Sequence, residues 1–149
     1  MHQPTDSLKI RLSSIGNAVI DKMAPAQIKS ALNPADLRIQ HAVSVEVNRP
    51  ESRVDVKVTM SYMLGQATLF SGSLTTSFDV VDLASYITTK DGEDGFHIEN
   101  DFLPMLINIA FGTTRGYFAR ELQGSVLAPY PFPMISMEII QKRAGYQLI

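Results

Sequence analysis

Residues Val54 to Val80, VDVKVTMSYMLGQATLFSGSLTTSFDV, decide the fold. Val54, Val56, Val58, Met60, Tyr62 and Leu64 alternate with Asp55, Lys57, Thr59 and Ser61, the period-two pattern of a half-buried strand. Gly65-Gln66 follows as a two-residue turn with glycine first, which suits a type II′ hairpin. The return strand sets Phe70, Gly72, Leu74, Thr76, Phe78 and Val80 against Ser71, Ser73, Thr75, Ser77 and Asp79. The result is an antiparallel pair with one apolar face and one wet face, the latter rich in serine and threonine.

The same reading extends upstream. Ile39, His41, Val43, Val45 and Val47 alternate with Gln40, Ala42, Ser44, Glu46 and Asn48, and Arg49-Pro50-Glu51-Ser52 makes a short connection. Three strands so joined form a meander. Leu8, Ile10 and Leu12 alternate as a further strand, and Pro25 to Leu32 reads as a short helix with proline in its first turn. Between Asp82 and Glu99, the run Lys90-Asp91-Gly92-Glu93-Asp94-Gly95 is a polar turn, followed by a short edge strand over Phe96 to Ile98.

The next segment, Phe102 to Met134, is too apolar for an ordinary surface helix. Phe102 to Phe111 carries no charge, so a helix there is apolar all the way round and needs cover on two sides. Asn100 or Asp101 caps it, Pro104 falls in its first turn, and it runs to Gln123 with Gly124 as its stop. Gly112 and Gly116 each cost about 1 kcal/mol relative to alanine, which implies a close backbone approach or a kink. Three prolines within five residues make Leu127 to Met134 an extended aromatic strap rather than a helix. Ser136 to Lys142 closes the chain as a short strand or helix.

Composition narrows the classes. A length of 149 residues fits a single domain, 1–149, with its core over about 39–140 and an N-terminal extension over 1–35. Thirteen basic against fifteen acidic residues offer no phosphate-gathering stripe, so nucleic acid is not an expected partner. Zero cysteines exclude disulfides, thiolate metal sites and thiol nucleophiles. No secretory signal pattern opens the chain, and the uncharged run at Leu103 is about half the length a bilayer requires, so a cytoplasmic protein without membrane insertion is expected. His2, His41 and His97 lack metal-ligand spacing, no nucleophile elbow surrounds Ser73 or Ser125, and the acidic loop lacks the calcium pattern. The expectation is a protein without catalytic residues, metal or cofactor.

The functional candidate is therefore an apolar surface, since large aromatic and methionine-rich patches mark protein partners. Met105, Phe111, Tyr117, Phe118, Tyr130, Phe132 and Met134 are its members; the same residues would equally fill a core or an interface between copies.

The order of elements and two motifs resemble the SecB family of bacterial protein-export chaperones and its SecB-like relatives. The first motif is the hairpin from Val54 through Gly65-Gln-Ala-Thr-Leu-Phe70 to Phe78; the second is Arg115-Gly116 followed by Leu127-Ala128-Pro129 and Phe132. Together they span about Ile39 to Phe132. The resemblance implies an α+β domain with a four-stranded antiparallel sheet, of meander or Greek-key order, and a long helix packed on one face. It further implies assembly into dimers and then a tetramer, and ATP-independent holding of unfolded or pre-export polypeptides in apolar grooves. On that frame Phe70 and Phe78 floor the groove, Phe102, Met105, Phe111, Tyr117 and Phe118 form helix walls or the dimer contact, and Tyr130, Phe132 and Met134 lie toward the rim. The positions through which the export members engage the translocase ATPase correspond here to Ser71 and Ser73, which takes charge off that face and weakens the expectation of that partner. The spacing from Gly116 to Leu127 is about four residues longer than in the export chaperones. The alternatives are a chaperone dedicated to one partner, as in antitoxin-type relatives, and a small-ligand carrier of similar fold.

Overall fold

The alternation over Val54 to Val80 is fulfilled strand for strand. In the computed structural model, which describes residues 9–22, 34–89, 96–98, 102–133 and 135–149, β3 (Arg53–Leu64) buries Val54, Val56, Val58, Met60 and Tyr62 on one face. β4 (Ala67–Val80) returns antiparallel with Val54 opposite Phe78, Met60 opposite Gly72 and Tyr62 opposite Phe70. Gly65 has φ 60 and Gln66 does not share a positive φ, as a type II′ turn requires. β2 (Leu37–Asn48) pairs with β3 along its whole length and buries Val43, Val45 and Val47 on the same face. In the connection, the Glu51 N–H donates to Asn48 Oδ1 at 3.1 Å and Ser52 takes φ 48.

β1 (Ile10–Lys22) lies beside β4 in antiparallel register, interrupted by three irregularities, and continues well past the Leu12 limit that alternation suggested. Bulges of this kind shift alternation, which hides a strand from a period-two count. The order β1-β4-β3-β2 is the antiparallel, Greek-key part of the expectation. The full sheet is five-stranded and mixed, because β7 (Gly145–Leu148) adds a parallel edge to β2, from Ser44 opposite Gly145 to Val47 opposite Leu148. A separate two-stranded sheet pairs β5 (Ile87–Thr88) with β6 (His97–Ile98), within the predicted edge strand.

Helix α1 (Leu103–Glu121) lies over β3 and β4, has Pro104 in its first turn, and buries Leu106, Ile107, Ala110, Phe111, Thr114 and Phe118. Gly124, at φ 80, follows its end. Residues 122–130 run through successive turns rather than an extended strap: the Ser125, Ala128 and Tyr130 N–H groups donate to the carbonyls of Leu122, Ser125 and Leu127. Helix α2 (Met137–Arg143) packs on β2 and feeds directly into β7. The predicted helix over Pro25 to Leu32, the loop Lys90 to Gly95 and the caps Asn100 and Asp101 lie outside the described residues.

Candidate functional site

The two motifs that are far apart in sequence meet in space. Arg115 of α1 donates from Nε to the Phe132 carbonyl at 2.9 Å, and the Tyr62 hydroxyl donates to the Tyr130 carbonyl. These bonds hold the Phe132 ring against Tyr62, with centroids 4.4 Å apart, and beside Phe70 and Phe118. Phe118 in turn stands edge-on to Phe70 at 5.1 Å. Such offset and edge contacts are favourable beyond the area they bury. Burial pushes the Tyr62 hydroxyl up to about 12, against an opposing pull from Arg115, so it remains a donor at ordinary pH.

Gly72 is the floor of this nest. A Cβ there would sit 2.9 Å from the Phe118 ring and 3.2 Å from Phe70, so only a bare backbone admits the helix at this depth. The arrangement explains why an arginine in the helix, a phenylalanine after it and a glycine in the hairpin occur together. Phe70, Phe78, Phe102, Phe111, Phe118 and Phe132, expected to line a groove, are buried in the core of the chain, where they hold the roof to the sheet. Tyr130 is half-buried, its carbonyl committed to Tyr62. Met134 lies outside the described residues.

Met105 and Tyr117 are exposed, at 49% and 37%. Tyr117 is half a helical turn from Arg115 and hence on the opposite flank of α1, away from the Phe132 carbonyl. On β1, Leu12 pairs with Phe78 and Ile15 with Thr76, so both point to the roofed face of the sheet, yet they are 46% and 48% exposed. The cover along β1 is partial: Ile10 and Ile20 near its ends pack against the core, while Leu12 and Ile15 between them stay open. Leu12, Ile15 and Tyr117 are thus large apolar side chains left open to solvent. Alternation alone missed Ile15, because the irregularities on either side of it break the count.

A second exposed stripe runs along the outward side of α1. Met105, Ile109, Gly112, Gly116 and Ala119 recur at intervals of four and three, a heptad spacing that puts them on one line. All five are exposed, and a Cβ on either glycine would meet nothing within 4 Å. The expected close approach to these glycines is thus not made by the described part of the chain.

The opposite face of the sheet is polar. Ser61 and Ser71 hydroxyls bond across the hairpin at 3.2 Å, and Arg11 pairs with Asp79 at 2.7 Å. Ser73 is buried on this face. Among the described residues no three His, Asp or Glu side chains gather as a metal site would need, and no helix is long and apolar enough to cross a membrane.

No protein-family profile matches the chain, and no curated protein does. Among solved structures, the chain is similar to the Mycobacterium tuberculosis SecB-like chaperone Rv1957, described in complex with a ChAD peptide from the Rv1956 HigA1 antitoxin. The identity is 15%, the likeness covers 87% of this chain and 88% of that one, and the TM-score is 0.42.

Proposed function

We propose that this chain is an ATP-independent holdase of SecB-like character that binds unfolded polypeptide along an apolar strip made by exposed side chains of β1 and α1. The observation that carries the reading is the exposure of Leu12, Ile15 and Tyr117 on a face whose other half is roofed. Apolar burial at about 25 cal/mol per Å² would drive capture with weak sequence preference. An extended client would also find the outer edge of β1, to which no described strand pairs and which supplies backbone donors and acceptors. The outward stripe of α1 would take a second copy of the chain, its glycines allowing the helix backbones to approach, within the dimer-of-dimers assembly that the family resemblance implies. Handover to a translocase ATPase forms no part of this reading, because Ser71 and Ser73 lie on a polar face where the Ser71 hydroxyl is bonded to Ser61.

The test titrates purified protein into an unrelated refolding client, with light scattering followed beside the oligomeric mass. Suppression of aggregation at near-stoichiometric amounts without ATP is expected, and Ile15→Asp should abolish it with the mass unchanged. An intact oligomer that suppresses nothing would remove the general holdase reading in favour of a dedicated partner. Phe132→Asp does not serve as a probe, since it would place a carboxylate inside the aromatic nest.

A further inference from the structure

The segment formed by α2 and β7 is docked on the outer edge of the sheet beside an unusual histidine. His41 stands on β2 three residues before Ser44, where β7 begins to pair, and opposite Met60, so it points to the roofed face. Its Nε2 is enclosed without a hydrogen-bond partner. Its ring meets Phe111 of α1 edge-on, with centroids 5.7 Å apart and planes at 87°. Arg143, the last residue of α2, acts on it as a like charge when the imidazole is protonated.

The other described elements around it supply no compensating anion. β3 brings Met60 and, one step on, Tyr62, whose hydroxyl is engaged with the Tyr130 carbonyl; β2 itself brings Ile39 and Val43. Arg115 of α1 is committed to the Phe132 carbonyl. On α2, Glu138 pairs with Lys142 at 3.3 Å in solvent. A neutral imidazole fits such a site, whereas an imidazolium has two donors, one of them at the enclosed nitrogen.

We propose that His41 is a pH-sensitive latch: its protonation undocks α2 and β7 and frees the edge of β2 from Ser44 to Val47. Burial first, and Arg143 second, hold the His41 imidazole below its ordinary value of 6.5. Above pH 6.5 the docked and undocked states are both neutral there and the latch exerts no effect. As pH falls below 6.5 the undocked state binds a proton that the docked state refuses, so docking weakens until the pH passes the depressed value. The response is local because β7 has four residues, while β2 remains paired to β3 over twelve. Use of the freed edge by an extended client rests on the holdase reading; the latch itself does not.

The experiment follows the full chain by NMR, with no client present, reading the His41 ring titration and amide exchange corrected for intrinsic rate. The reporters are the Ile149 N–H, which donates to the Val47 carbonyl at 2.8 Å, and the Ala144 N–H, which donates to Ile140 at 2.9 Å. Between about pH 7.5 and about pH 5 their protection should fall, starting near 6.5 and levelling off once the His41 ring has titrated, while the β3–β4 amides stay protected. His41→Phe, uncharged at every pH, should flatten the response. Constant wild-type protection, a loss lying outside the interval between pH 6.5 and the His41 midpoint, or simultaneous loss across the whole sheet would overturn the latch, whether or not the His41→Phe protein folds.

Discussion

β3 and β1 both flank β4, both pair with it antiparallel, and both turn branched apolar side chains to the same face. Only β3 is roofed. Its Val56, Val58 and Met60 lie under α1, whereas Leu12 and Ile15 of β1 stand beyond the helix in solvent. The hydrophobic pattern of a strand therefore states which face is apolar; the reach of the helix above decides how much of that face is core and how much is available surface. The roofed half should fail when its contacts are cut, and the open half should lose binding before it loses stability.

The largest effect should come from Phe118→Ala. It empties the space between Phe70, Phe132 and Gly72, and buried phenylalanine truncations cost about 3–5 kcal/mol. Urea unfolding should show a lower midpoint at unchanged slope. A loss near zero would mean that the helix is not seated on β4 through this ring.

Gly72→Ala approaches the same contact from below. The added methyl would press on a fully buried Phe118 ring, and overpacking costs about 1–3 kcal/mol. The paired prediction is sharper than either alone: Phe118→Ala should remove the penalty of Gly72→Ala, so the double variant should be no less stable than Phe118→Ala by urea unfolding. Additive losses would separate the two residues and break the assignment of Gly72 as the helix seat.

Much of this architecture was legible. Period-two alternation located β2, β3 and β4, and Pro104 and Gly124 bracketed α1, because those signals are local. The Arg115, Leu127 to Pro129 and Phe132 motif was legible as a motif, though only the fold shows that the arginine holds the Phe132 carbonyl. β7 was illegible: four residues carry no period, and its partner strand lies about a hundred positions earlier. The inside and outside of the aromatic set were also illegible. Phe118 and Tyr117 are neighbours in an apolar run, and what separates core from surface is the direction in which α1 meets the sheet, which no local pattern contains.

Gly112→Ala should have a smaller effect, with opposite signs in two measurements. Nothing in the described chain approaches that position, so alanine should strengthen the helix by about 1 kcal/mol in the separated chain. The added methyl should weaken packing against a second copy. Thermal melts at high dilution and sedimentation across a concentration series measure the two contributions separately. A variant that melts higher and associates as well as wild type would show that the outward stripe is not the contact between copies.

The smallest stability change belongs to the open half. Leu12→Asp alters a side chain already half in water, at an edge strand where charge is well tolerated, and should shift unfolding by no more than about 0.5 kcal/mol. Its carboxylate would nevertheless lie on the strip that an apolar client must cover, and leaving a charge unpaired under a bound segment is costly. Unfolding and aggregation-suppression assays on the same preparation should therefore diverge, with stability retained and holding activity lost. If Leu12→Asp destabilised the fold as deeply as Phe118→Ala, β1 would belong to the core, and the distinction between a roofed half and a binding half of this sheet would fall.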